Sequence, residues 1–246
     1  MQLARANGVT SPKPYPYPNS FFVVALDDRS LRDGFGDRGL DLVKHFATRK
    51  ERKRCNNGLE QEIFLLRRYL LTLSAYDRLA FPMTMSKDES PDFICCCNGV
   101  TFGIEVTEAT CPTDQRDMTL RQEKKGAHLI GALDGRFGGG AYGTEPERAC
   151  VDDVLTAVRR KVRKIVEGKY DKPGDNLKWF DLLIYPSGNA SFYAHSDEVM
   201  ERLSQSLSVE FWRSPDVSRV RSISAMFRSQ LAYCNRSGLL KLPLHK

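Results

Sequence analysis

The sequence predicts an α/β fold, on three observations. Two long stretches carry apolar residues at helical spacing, an Asn-Gly reversal joins two β-prone runs between them, and a nearly all-apolar run follows the second helix. Taken in order, Ser11-Pro-Lys-Pro-Tyr-Pro-Tyr-Pro18 has proline at alternate positions, which forbids helix and suits an extended arm. Phe21 to Leu26 reads as a strand or a packed brace. Residues 39 to 54 read as a helix with Leu40, Val43 and Phe46 inward, ending in Arg49-Lys-Glu-Arg-Lys-Arg54. That run (Arg49, Lys50, Arg52, Lys53, Arg54) is a candidate phosphate-contacting patch, or else a solvated helix end whose cations suit the C-terminal dipole.

Asn56, Asn57 and Gly58 read as a break. Leu59, Ile63, Leu66, Leu70 and Leu73 then step by 4, 3, 4 and 3, a strong amphipathic helix with Glu62 beside its stripe. A strand is expected near 82 to 87. Cys111 to Cys150 is rich in charge and glycine, with seven glycines from Gly126 to Gly143, and reads as a long insertion without a phosphate-loop pattern. Val151, Val154, Leu155, Val158, Val162 and Ile165 form one face of a helix over 151 to 170. Lys161 lies at the edge of that stripe and Lys164 about 60° further round. Trp179-Phe-Asp-Leu-Leu-Ile-Tyr-Pro186 suits a central strand covered on both faces. Residues 196 to 212 read as helix, and 220 to 244 as closing strands with a turn at Asn235-Arg-Ser-Gly238. The expected organisation is an arm and basic helix over 1 to 58, a core over 59 to 186 with its insertion at 112 to 150, and an extension over 187 to 246 packed on the core.

Apolar residues are 41% of the 246 and charged residues 28%, the balance of a folded chain rather than a disordered one. No run approaches the ~20 apolar residues of a membrane helix, and Met1 to Thr10 carries no apolar signal segment, so a cytoplasmic protein is expected. The net charge of +6 favours polyanionic partners without demanding one. Seven cysteines, three of them consecutive, lack the spacing of a zinc site and argue against a disulfide framework. The four histidines are scattered.

The chemistry concentrates in Pro91-Asp92-Phe-Ile-Cys-Cys-Cys97, Asn98-Gly99 and Val100-Thr-Phe-Gly-Ile-Glu105-Val-Thr107. Asn-Gly favours a two-residue type I′ turn, because both central positions need positive φ. With that turn, cross-strand partners have numbers summing to 197. Phe93, Cys95, Cys97, Val100, Phe102 and Ile104 then share a core face, and Asp92 lies opposite Glu105 on the other. Their Cβ atoms would be roughly 5 Å apart. Two like charges at that distance repel by about 3 kcal/mol at an effective dielectric near 20. Either one carboxyl takes a proton or a cation sits between them, and carboxylate oxygens completed by water and phosphate suit Mg²⁺. A shifted register, or an exposed edge with Arg or Lys nearby, is the other reading.

Pro-Asp, a short hairpin and Gly-Ile-Glu-Val-Thr resemble the core motif of the PD-(D/E)XK nuclease superfamily, the restriction-endonuclease-like fold. The resemblance spans roughly residues 59 to 186. It implies an α-β-β-β-α-β core, a central mixed sheet flanked by helices, with N-terminal and C-terminal extensions. It also implies that Asp92 and Glu105 are metal ligands and that Glu62 is the first-helix acid that orients a metal-bound water. The family's lysine, two residues after the second acid, falls on Thr107, a departure from the pattern. Some branches move that lysine to the following helix, which makes Lys161 the first choice and Lys164 the second.

The expected activity is therefore Mg²⁺- or Mn²⁺-dependent phosphodiester hydrolysis, most readily in DNA, with Arg49 to Arg54 and Arg159 to Lys164, Arg160 among them, holding the backbone. The alternatives are a catalytically inactive nuclease-fold module for nucleic-acid binding or assembly, and a subunit of a larger complex in which residues 187 to 246 form the interface; the sequence leaves open a homodimer or a partner protein.

Overall fold

A computed structural model describes residues 21–26, 52–80, 83–88, 90–109, 146–172, 176–186, 197–227 and 229–244. For 21–26, 52–61, 63 and 146 the main chain alone is described. The elements, in chain order, are β1 (Phe21–Leu26), α1 (Arg52–Ala75), β2 (Met83–Lys87), β3 (Phe93–Cys97), β4 (Val100–Ala109), α2 (Pro146–Val166), β5 (Trp179–Pro186), α3 (Asp197–Ser206), α4 (Val209–Arg213), a 3₁₀ turn (Pro215–Val217), β6 (Val220–Met226), β7 (Gln230–Asn235) and β8 (Gly238–Pro243).

The strands form one mixed sheet in chain order, β1 to β8. Pairing is antiparallel from β1 to β4, parallel across β4-β5 and β5-β6, and antiparallel again to β8. Parallel neighbours need a crossover, and α2 supplies it between β4 and β5. The sheet is covered on both sides. Leu65, Leu66, Tyr69, Leu70 and Leu73 of α1 pack on Phe93, Cys95, Phe102, Ile104 and Leu183. On the other side Val151, Val154, Val158 and Val162 of α2, with Val199 and Leu203 of α3, pack on Ile94, Phe180, Leu182 and Ile184. The described chain is thus an α/β protein with a mixed sheet flanked by helices. No helix among the described residues is long and apolar enough to cross a membrane.

Three sequence expectations change. Asn56-Asn57-Gly58 does not break the chain, because α1 starts at Arg52 and runs through it. A glycine inside a helix costs only about 1 kcal/mol, and extending a helix already anchored by its apolar stripe adds a hydrogen bond per residue. The boundary expected at 58 therefore falls inside α1. Residues 146–150, assigned to the insertion, open α2. The single helix expected over 196 to 212 divides at Ser208, whose ψ of 179° is extended and whose hydroxyl binds Glu210 at 2.8 Å. Strands β6 to β8, in the stretch read as closing strands, continue the main sheet. The arm at 11–18, the helix expected to begin at 39, Arg49, Lys50 and the glycine-rich run lie outside the described residues.

Candidate active site

The Asn-Gly reversal has the expected geometry: Asn98 has φ 51° and Gly99 φ 74°. The ladder runs from Phe93↔Ile104 to Cys97↔Val100, every pair summing to 197. Asp92, one residue before β3, falls beside Glu105. The Asp92 backbone N–H donates to Glu105 Oε2 at 3.3 Å, and the Val106 N–H donates to Asp92 Oδ2 at 2.8 Å. Gly103 makes room for this approach, since a Cβ there would stand 2.6 Å from Pro91 Cγ and 3.0 Å from the Phe180 ring.

The remaining carboxylate oxygens meet lysines. Lys161 of α2 pairs with Glu105 Oε1, both side chains being buried. Lys87, the last residue of β2, lies 3.4 Å from Asp92 Oδ1 and 3.0 Å from Glu62 Oε2. The two cations arrive from opposite sides. Lys87 is the β-partner of Phe93 and stands 4.8 Å from that ring's centroid, on the face covered by α1, while Lys161 descends from α2.

Burial first, and the Asp92 charge second, push the Glu105 carboxyl above the usual carboxylate range, against the pull of Lys161. Burial likewise raises Glu62, with Lys87 opposing it. Tyr170, 2% exposed, has its phenol pushed up by burial and then by the neighbouring Glu105. Tyr185, on β5, is pushed up to about 12 by burial and then by Glu108.

Sequence reasoning placed Asp92, Glu105, Lys161 and Glu62, and these are brought together. It also placed Thr107 and Arg160, which meet each other: Arg160 Nη2 donates to the buried Thr107 Oγ1 at 3.0 Å. Lys164, half-buried, forms no ion pair among the described residues. Arg52, Lys53 and Arg54 belong to α1, with main chain alone described. Lys87 was missed. The signal was the short link from Lys87 to Asp92, which returns β3 alongside β2 so that the end of one strand meets the start of the next.

Asp181, inside the run read as apolar, was also missed as a site. It is buried and satisfied by Arg221 Nε at 2.9 Å, a second Arg221 nitrogen, Ser222 Oγ at 2.8 Å and Tyr69 OH at 3.4 Å. Arg221 also lies 3.9 Å over the Phe102 ring. With every oxygen occupied, this network joins β5, β6 and α1 and serves the fold.

No protein-family model matches the chain, and no curated protein or solved structure matches it. Among the described residues no three Asp, Glu, His or Cys side chains converge as a ready-made metal cage. A hard cation that keeps most of its waters asks for less, one or two carboxylates. The donor chemistry of Asp92 and Glu105 fits that demand, and the Lys87 ammonium between Glu62 and Asp92 shows where positive charge is welcome.

Proposed function

We propose that the chain is a metal-dependent nuclease of the restriction-endonuclease-like kind, hydrolysing phosphodiester bonds, with DNA as the first substrate to test. One observation carries the reading: Asp92 and Glu105 sit side by side with Lys161 on the second acid. The order α1, β2, β3, β4, α2, β5 supports it, being that of the α-β-β-β-α-β core. Mg²⁺ or Mn²⁺ held by Asp92 and Glu105 would supply polarisation of the scissile phosphate and a water of lowered pKa. The Lys161 ammonium, fixed on Glu105, is placed to stabilise charge gathering on the phosphate. Thr107 draws Arg160 towards the same corner, where its guanidinium can bind a flanking phosphate. Glu62 restrains Lys87.

Asp92→Ala and Glu105→Ala, assayed separately for plasmid cleavage with Mg²⁺, test this. Each is expected to abolish cleavage, and activity surviving both would remove the site. A second reading, a non-catalytic nucleic-acid-binding or assembly module, is favoured by Thr107 at the lysine position and by the lysine partner each acid already has. DNA affinity without cleavage of any substrate would select it.

A further inference from the structure

Three carboxylates and two ammonium groups share this corner: Glu62, Asp92 and Glu105 against Lys87 and Lys161. Lys161 serves Glu105. Lys87 is different, because a single nitrogen reaches two acids on two elements, Glu62 of α1 and Asp92 before β3. Its side chain is 13% exposed, which leaves bulk water little part in balancing these charges. Asp92 Oδ2 is taken by the Val106 N–H, so Oδ1, the oxygen facing Lys87, is the one best placed for an incoming cation.

An ammonium and a divalent ion repel when both approach one carboxylate oxygen, the more so away from bulk water. The lysine stem is flexible, and Glu62 already holds the nitrogen at the shorter distance, 3.0 Å against 3.4 Å. We propose that Lys87 is an internal counter-ion that competes with a divalent cation for Asp92, and that metal uptake swings its ammonium off Asp92 onto Glu62. This rests on the metal-dependent reading above. Lys87 is thereby a positioning residue that sets how much metal the site requires. Formal charges on the five side chains sum to 2 − 3 = −1. Neutralising Lys87 takes that sum to −2 and removes the competitor.

The test is Mn²⁺ binding by the full chain, read by paramagnetic resonance or calorimetry without nucleic acid. Lys87→Met is expected to bind Mn²⁺ about tenfold more tightly than wild type, equivalent to about 1.4 kcal/mol, and the gain should vanish when Asp92→Asn is added. Wild type supplies a measurement independent of the variant's folding. Amine acylation at Lys87, quantified by mass spectrometry, should rise severalfold when Mn²⁺ is added, and should not rise in Asp92→Asn. Unchanged or weaker Mn²⁺ affinity in Lys87→Met, or unchanged labelling while Mn²⁺ is bound, overturns the proposal and leaves the metal-dependent reading in place. Absence of Mn²⁺ binding in both proteins overturns both. Competition without cleavage of any nucleic acid supports the Lys87 proposal and retires the nuclease.

Discussion

Replacing Lys161 by methionine keeps the length and apolar stem of the side chain and deletes only its charge. Lys161 is 8% exposed and Glu105 5%, so the pair is buried, and its loss leaves a carboxylate inside the protein with Asp92 beside it. Removing one partner of such a pair costs about 3–5 kcal/mol, whereas an exposed pair is worth at most about 1 kcal/mol. For a chain of this size each kcal/mol moves the melting temperature by about 2–4 °C, so Lys161→Met should melt roughly 6–20 °C below wild type. Adding Glu105→Gln removes the stranded charge, and the double variant should recover most of the loss, because a buried pair as a whole contributes little net stability. Thermal and urea unfolding followed by circular dichroism at neutral pH measure both. A single-variant loss of under about 1 kcal/mol, or a double variant no more stable than the single, would refute the buried-pair account.

The Glu105 carboxyl is raised in the folded protein above its ordinary 4.5, so the folded state holds that proton more tightly than the unfolded state. Its contribution to stability is present at low pH and lost as pH climbs through the raised value; the stability of wild type minus that of Glu105→Gln should therefore fall with rising pH, and a flat or rising difference in urea unfolding would contradict the assignment. Gly103→Ala places a methyl group against Pro91 and the Phe180 ring. It should destabilise by about 1–3 kcal/mol, and an alanine variant as stable as wild type would show that Pro91 does not press on position 103.

The hairpin was legible because its information is local. A two-residue Asn-Gly turn dictates register, and register dictates that Asp92 faces Glu105. The apolar stripes of α1 and α2 were legible for the same reason, and Lys161 followed from its angle to one of them. Lys87 was not, because the sequence between β2 and β3 carries no Asn-Gly-type signal that fixes register, and the meeting of Lys87 with Glu62 joins elements distant in sequence. Arg160 read as a phosphate contact, yet its hydrogen bond to Thr107 depends on how α2 docks on β4. Asp181 looked like an interruption in an apolar run, because the Arg221 and Ser222 that satisfy it lie on β6, far along the chain. The helix that runs through Asn56-Asn57-Gly58 shows local punctuation losing to cooperative extension.

Each acid in the pair is tethered by an amide of the other strand's segment, Asp92 by the nitrogen of Val106 and Glu105 by that of Asp92. Their spacing is thus written into peptide groups, and trimming nearby side chains should leave it almost unaltered. The vulnerable point lies at the far end of the hairpin: one residue added at Asn98-Gly99 would slide one strand a single step and send the two acids to opposite sides of the sheet.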